Sequence, residues 1–117
     1  MKRKSGNRAQ RVGQQVHQIV ASLLLTAVSD PRLESIQVTD VEMTPDLRQA
    51  RVYYVMLDGN EPPEEVFEAV ERVAGFIKSH LGSELRLRYV PEVEFRFDEA
   101  QLRGRRIDDL LSGIREE

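Results

Sequence analysis

Two histidines, a few paired carboxylates and a spread set of lysines and arginines are the side chains of this chain that could do chemistry. His17 and His80 stand in no His-x-x-x-His or Glu-x-x-His spacing, so they build no metal site and read as surface residues. Asp108 with Asp109 and Glu64 with Glu65 are neighbours of the kind that decorate solvated helix faces, not proton-sharing pairs. No glycine-rich phosphate loop is present, and the absence of cysteine removes thiolate chemistry, disulfides and cysteine-bound zinc. The expectation is a protein that is not an enzyme and uses no metal and no cofactor.

The basic residues form the more informative set. Net charge is −3, which argues against a uniformly basic nucleic-acid binder, yet the sum conceals segregation. Lys2, Arg3, Lys4, Arg8 and Arg11 occur before any acid, and between Leu33 and Glu71 ten acids face only Arg48 and Arg51. The basic residues then return as Lys78, Arg86, Arg88, Arg96, Arg103, Arg105 and Arg106. A fold that joins the two basic ends has an acidic side and a basic side. Spread lysines and arginines bind backbone phosphates without reading bases. A merely solvated exterior is the other reading of the same residues. Aromatic residues interleaved with arginines are the mark of single-stranded RNA binding. That mark is weak here, because Tyr89, Phe95 and Phe97 fall in core phase and only Tyr53 or Tyr54 is expected to face out.

The elements that must position these residues follow from hydrophobic periodicity. At 117 residues the chain is one domain with a single core, preceded by a flexible basic arm over residues 1–7 and extending over 8–117. Asn7 is a possible N-cap of a first helix with a buried stripe of Val12, Val16, Ile19, Val20, Leu23, Leu24 and Ala27, which Pro31 should end. Lys2 to Lys4 followed by the apolar run Ile19 to Val28 has the outline of a secretory signal, but Gln14, Gln15, His17 and Gln18 interrupt it. No stretch approaches the ~20 apolar residues of a membrane span. A cytoplasmic protein is expected.

Ile36 to Met43 alternates like a half-buried strand, with a slip between Val38 and Val41 that predicts a bulge near Thr39 and Asp40. Thr44-Pro45-Asp46-Leu47 supplies a turn, and Ala50 to Leu57 a second strand, making an antiparallel hairpin. Glu61-Pro62-Pro63-Glu64-Glu65 opens a long helix with the stripe Val66, Phe67, Val70, Val73, Ala74, Ile77 and Leu81. Gly75 sits inside it, at a cost of about 1 kcal/mol relative to alanine, which calls for a kink, a packing contact or an approaching partner backbone. Gly82 is a plausible C-cap. Residues 85–90 read as an extended approach to a strand over Val93 to Phe97, and Ile107, Leu110, Leu111 and Ile114 as a short terminal helix after the loop Arg103-Gly104-Arg105-Arg106.

Taken together, Arg11-Val12, Asp30-Pro31-Arg32-Leu33, Val41-Glu42-Met43-Thr44 with Asp46-Leu47, Ala50-Arg51-Val52-Tyr53, Gly75-Phe76-Ile77-Lys78, Leu87-Arg88-Tyr89-Val90-Pro91-Glu92 and Phe95-Arg96-Phe97-Asp98 resemble the ribosome-binding factor A family from about Arg8 to Leu111. The resemblance implies an α+β fold of the type II KH-like kind, α-β-β-α(kink)α-β, with a three-stranded mixed sheet, helices packed on one face and a short C-terminal helix. Where ordinary KH modules clamp RNA with a Gly-x-x-Gly loop, this family has an Ala-x-Gly kink. Here the kink maps to Val73, Ala74 and Gly75, with valine in the first position.

The resemblance further implies a monomeric assembly factor that binds the immature small ribosomal subunit and its rRNA, promotes late rRNA maturation, matters most in the cold and is released by an assembly GTPase. The candidate rRNA contacts are Arg3, Lys4, Arg8, Arg11, Lys78, Arg86, Arg88, Arg103, Arg105 and Arg106. Two other readings stay open: a general single-stranded RNA-binding KH module, and a protein-interaction module whose acidic helix face of Glu61, Glu64, Glu65, Glu68 and Glu71 docks a basic ribosomal protein.

Overall fold

In the computed structural model, residues 7–115 are described, with the side chains of residues 7, 105, 106, 109 and 112–115 outside that description. The order is α1 (Asn7–Thr26), a single 3-10 turn (Pro31–Leu33), β1 (Ile36–Met43), β2 (Gln49–Met56), α2 (Glu64–Glu84), β3 (Glu92–Phe97) and α3 (Glu99–Arg115). The sheet runs β1-β2-β3, antiparallel between β1 and β2 and parallel between β2 and β3. Parallel neighbours need a crossover, and α2 supplies it.

The core lies between the sheet and α1 and α2. Ala50, Val52, Tyr54 and Met56 alternate inward along the central strand, none more than 5% exposed. They meet Val12, Val16, Val20 and Leu23 of α1 and Val66, Ala69, Val70, Val73, Ile77 and Leu81 of α2. Each such aliphatic side chain removed from water stabilises the fold by about 1.5–3 kcal/mol. The opposite parity of β2 and β3 is polar apart from the buried Val55, and there Arg51 pairs with Glu42 at 3.2 Å and Arg96 with Glu94 at 3.0 Å.

The expected bulge is present: the β1–β2 register shifts between Val38 and Asp40, leaving Thr39 as the extra residue. Four expectations need correction. First, Pro31 does not end α1. The helix stops at Thr26, where the Ala27 and Val28 amides both donate to the Leu23 carbonyl, at 2.9 and 3.1 Å. Pro31 instead opens the 3-10 turn capped by Asp30, whose side chain accepts the Arg32 amide. Second, Gly82 is inside α2, which continues to Glu84; a Cβ there would sit 3.1 Å from Val90, so the glycine lets the returning segment pass close to the helix.

Third, Phe67 is 45% exposed and Ala69 takes its place in the buried stripe. Fourth, Arg103 to Arg106 form no loop but part of α3, which begins directly after β3. Asp98 starts it: Oδ1 accepts the Gln101 amide at 3.2 Å, and Oδ2 accepts the Thr39 hydroxyl at 2.8 Å, so the extra residue of the bulge ties the helix start to β1. Leu102, one turn on, is buried.

Candidate nucleic-acid interface

The turn between β1 and β2 is over-determined. Thr44 donates its hydroxyl to Asp46 Oδ1 at 2.7 Å and accepts the Gln49 amide at 3.1 Å, while the Leu47 amide donates to the Thr44 carbonyl at 2.8 Å. Asp46 Oδ1 also accepts the Arg48 amide at 3.1 Å. The Thr44 hydroxyl first, and the Arg48 amide second, hold the Asp46 carboxyl below its ordinary pKa. Leu47 adopts φ of 62°, a left-handed conformation that costs a side-chain-bearing residue about 1–2 kcal/mol. Burial of its side chain, 7% exposed, offsets that cost and leaves Arg48 pointing outward. The Arg48 carbonyl accepts the Glu92 amide at 2.8 Å, so the arginine's backbone is fixed from both sides.

Against this turn lies the segment before β3. The Arg48 guanidinium stands 4.2 Å from the centroid of the Tyr89 ring, and that of Arg88 5.4 Å from it. Both distances are within the reach of a cation–π contact. Arg8, in the first turn of α1, completes a cavity of about 280 Å³ with Asp46, Leu47, Arg48, Leu87, Arg88 and Tyr89. Among the described residues, no carboxylate forms an ion pair with Arg8, Arg48 or Arg88.

The expected contacts therefore distribute as follows. Arg8 and Arg88 are brought together at the cavity. Arg11 is exposed on the next turn of α1, and Arg86 is exposed two residues before Arg88. Lys78 reaches the same strand entrance, but its ammonium is held by Glu92 at 2.6 Å. Arg103 is on α3, 4.0 Å from Glu99. That helix leaves the far end of β3, roughly 16 Å from Glu92 by strand rise, so Arg103 stands apart from the cavity. The side chains of Arg105 and Arg106, and Arg3 and Lys4 of the expected arm, lie outside the described residues.

Two cavity residues, Arg48 and Tyr89, are not among the expected contacts. Core phase predicts a buried Tyr89, but residues 85–90 form no strand, so parity does not carry through them; Leu85 and Leu87 pack on the core while Tyr89 is 47% exposed. Tyr54 is buried, with its ring edge-on to Phe95 at 6.2 Å, and Tyr53 is half-buried beside Glu42, so neither is the outward aromatic. The signal available was the Arg88-Tyr89 step next to Pro91, since an arginine and an aromatic in an irregular segment have no strand face to hide in.

Val73, Ala74 and Gly75 lie within one continuous helix, buried, half-buried and exposed in that order. A Cβ at Gly75 would meet nothing within 4 Å, so no contact inside the fold requires the glycine. Ser79 donates its hydroxyl to the Gly75 carbonyl at 3.3 Å, a back-bond that tends to bend helices. The acidic face at the start of α2 is open, with Glu64, Glu65, Glu68 and Glu71, and Glu61 just before the helix, all exposed.

A family model described as "Ribosome-binding factor A" matches residues 8–111. The chain belongs to this family. Proteins named Ribosome-binding factor A from Staphylococcus epidermidis, Geobacter sulfurreducens and Desulfatibacillum aliphaticivorans are 40%, 34% and 43% identical to it, over 107, 111 and 111 residues. These alignments cover 92%, 95% and 95% of this chain and 92%, 94% and 90% of the relatives. The crystal structure of ribosome-binding factor A from Thermus thermophilus shares the fold at a TM-score of 0.65 and 24% identity, covering 76% of this chain and 93% of that one. The solution structure of a putative ribosome binding factor A from Thermotoga maritima gives 0.65 at 27%, covering 81% and 91%. Membership fits the α+β architecture with its three-stranded mixed sheet. Among the described residues, no helix is long and apolar enough to cross a membrane.

Proposed function

We propose that this chain binds the immature small ribosomal subunit and its rRNA and promotes late rRNA maturation, a role needed most in the cold. The observation that carries the reading is the convergence of Arg8, Arg48 and Arg88, without ion-pair partners among the described residues, at one cavity of a chain that belongs to the ribosome-binding factor A family. Guanidinium groups without ion-pair partners suit phosphate, which they engage with geometry that lysine does not match. Arg11, Arg86 and Lys78 extend this surface, and Arg103, Arg105, Arg106, Arg3 and Lys4 supply further phosphate contacts.

The mechanism is selective binding. A factor that holds one arrangement of the rRNA more tightly than another shifts the population toward it by its difference in affinity. The chain acts as a cytoplasmic monomer, one domain over residues 8–117 behind a basic arm at 1–7, and an assembly GTPase supplies release. Reversing Arg86 and Arg88 to glutamate, both exposed, abolishes co-sedimentation with small subunits and leaves the fold intact. Unchanged co-sedimentation would rule this surface out.

The open acidic face of α2 favours a second reading, docking on a basic ribosomal protein. Nuclease treatment of subunits before binding separates the two: it removes an rRNA contact and spares a protein one.

A further inference from the structure

We propose that the cavity of Arg8, Arg48, Arg88 and Tyr89 is a subsite for one unpaired nucleotide of an RNA strand, with the base stacked on the Arg48–Tyr89 pair and its phosphate held by Arg8 and Arg88. This deepens the reading above and rests on it. Double-helical RNA hides its base faces, so phosphate binding alone would need arginines and no aromatic. Here a tyrosine that is 47% exposed has two guanidinium groups near its ring, 4.2 and 5.4 Å from the centroid. An aromatic ring and an arginine plane are the two surfaces on which splayed bases stack.

The subsite is built in advance of any ligand. Asp46 and Glu92 hold the Arg48 backbone from both sides, and Thr44 locks the turn that carries it. A fixed backbone together with the contact to Tyr89 lowers the ordering cost of the Arg48 side chain on binding. Size sets the stoichiometry. At about 280 Å³ the cavity falls just under the roughly 300 Å³ at which pockets for whole small-molecule ligands begin, which suits a single ring system. Asp46 keeps phosphate away from the turn side, so the charged part of the nucleotide faces Arg8 and Arg88.

The chain has no tryptophan, so Tyr89→Trp places a single fluorescent reporter in the subsite of the full-length protein. A short single-stranded RNA of mixed sequence should quench that indole, and the same sequence annealed to its complement should not. In the parent chain, Tyr89→Leu and Arg48→Ala should each weaken single-strand binding about tenfold, within the range expected for one stacked base. Arg96→Ala removes the same charge from the polar sheet face and should change affinity little. Unaltered thermal melts of the variants exclude unfolding as the cause.

Equal binding of duplex and single strand, or a Tyr89→Leu variant that binds like the parent, would overturn the subsite. A parent chain that co-sediments with small subunits but binds no single strand would also overturn it, with the proposed function standing. Loss of both in the parent would remove the function as well.

Discussion

Gly13 and Gly75 both lie inside helices, and replacing each with alanine should move stability in opposite directions. Alanine is favoured over glycine in a helix interior by about 0.8–1.0 kcal/mol, and that gain is common to the two sites. At Gly75 nothing opposes it: the position is exposed, its φ is not positive, and a Cβ meets no atom within 4 Å. Gly75→Ala should raise stability by most of that amount and Tm by about 2–6 °C for a domain of this size. At Gly13 a Cβ would stand 3.0 Å from the Val41 backbone carbonyl, where β1 is already bulged and bonded to β2. Backbone cannot swing aside as a flexible side chain can, so overpacking of about 1–3 kcal/mol outweighs the helical gain and Gly13→Ala should lower Tm.

Thermal melts by circular dichroism of the two variants and the parent test the pair. A fall in Tm for Gly75→Ala would refute the reasoning, because it would show a backbone at this position that only glycine tolerates. The same variant answers a second question. An exposed helical glycine that no internal contact explains is best accounted for by a partner's backbone coming within reach of it. Gly75→Ala should therefore bind small subunits more weakly while melting higher, and full binding would leave no role for a contact there.

Asp98→Ala should cost about 2–4 kcal/mol in urea unfolding, because it removes the α3 cap and leaves the Thr39 hydroxyl without its partner, whereas Asp98→Asn, still a good cap, should lose less than half as much. Glu92→Gln should free Lys78 and tighten single-stranded RNA binding, steepening its salt dependence by about 0.7 in the log–log slope, while Glu94→Gln on the polar sheet face should do neither. Asp30, half-buried with its side chain 23% exposed, is held at about 2 by the side-chain hydrogen bonds from Arg32 and then by the Arg32 amide. Its carboxylate stabilisation is therefore present above about pH 4 and lost as pH falls through about 2. Titration followed by NMR should place the Asp30 midpoint near 2, and Arg32→Ala should return it towards 3.8.

Elements whose burial is periodic were legible before the structure; contacts between distant segments were not. The slip from Ile36 and Val38 to Val41 and Met43 placed the bulge near Thr39 and Asp40, where it lies, because one inserted residue flips every later side chain. The stripe of α2, Phe67 apart, and the strand after Pro91 followed from the same logic. Pro31 and Gly82 misled, since each residue type ends helices often but here serves something else: a separate 3-10 turn, and the close passage of Val90. The start of α3 was missed because its signal is the Asp98 side chain reaching Gln101, which the basic run at Arg103 to Arg106 obscured. Arg48 could not be singled out at all. Its meaning depends on Tyr89, 41 positions away in sequence (89 − 48), and no local pattern joins the two.

The net charge of −3 does not oppose an RNA-binding role, because charge acts over distance and the opposite signs are kept apart. The acids of α2 begin at Glu64 and Lys78 lies fourteen residues on, a separation of about 21 Å along the helix. That is more than twice the Debye length of ~8 Å at physiological salt, so the charge of Glu64 is largely invisible to a phosphate at the other end, while Glu71, about 10 Å from Lys78 along the helix, is only partly screened. On the sheet face, Glu42 and Glu94 are matched to Arg51 and Arg96, which removes both signs from the long-range field together. Among the described residues, Arg8, Arg48 and Arg88 stand without ion-pair partners at the cavity, while Glu64, Glu65, Glu68 and Glu71 line the opposite end of α2. Such a charge dipole turns in the field of an RNA surface before contact, presenting Arg8, Arg48 and Arg88 and holding the glutamates of α2 away. On the proposed reading the acidic half contributes to binding by orientation, and charge reversal along Glu64 to Glu71 should slow association with small subunits, measured as the association rate at low salt.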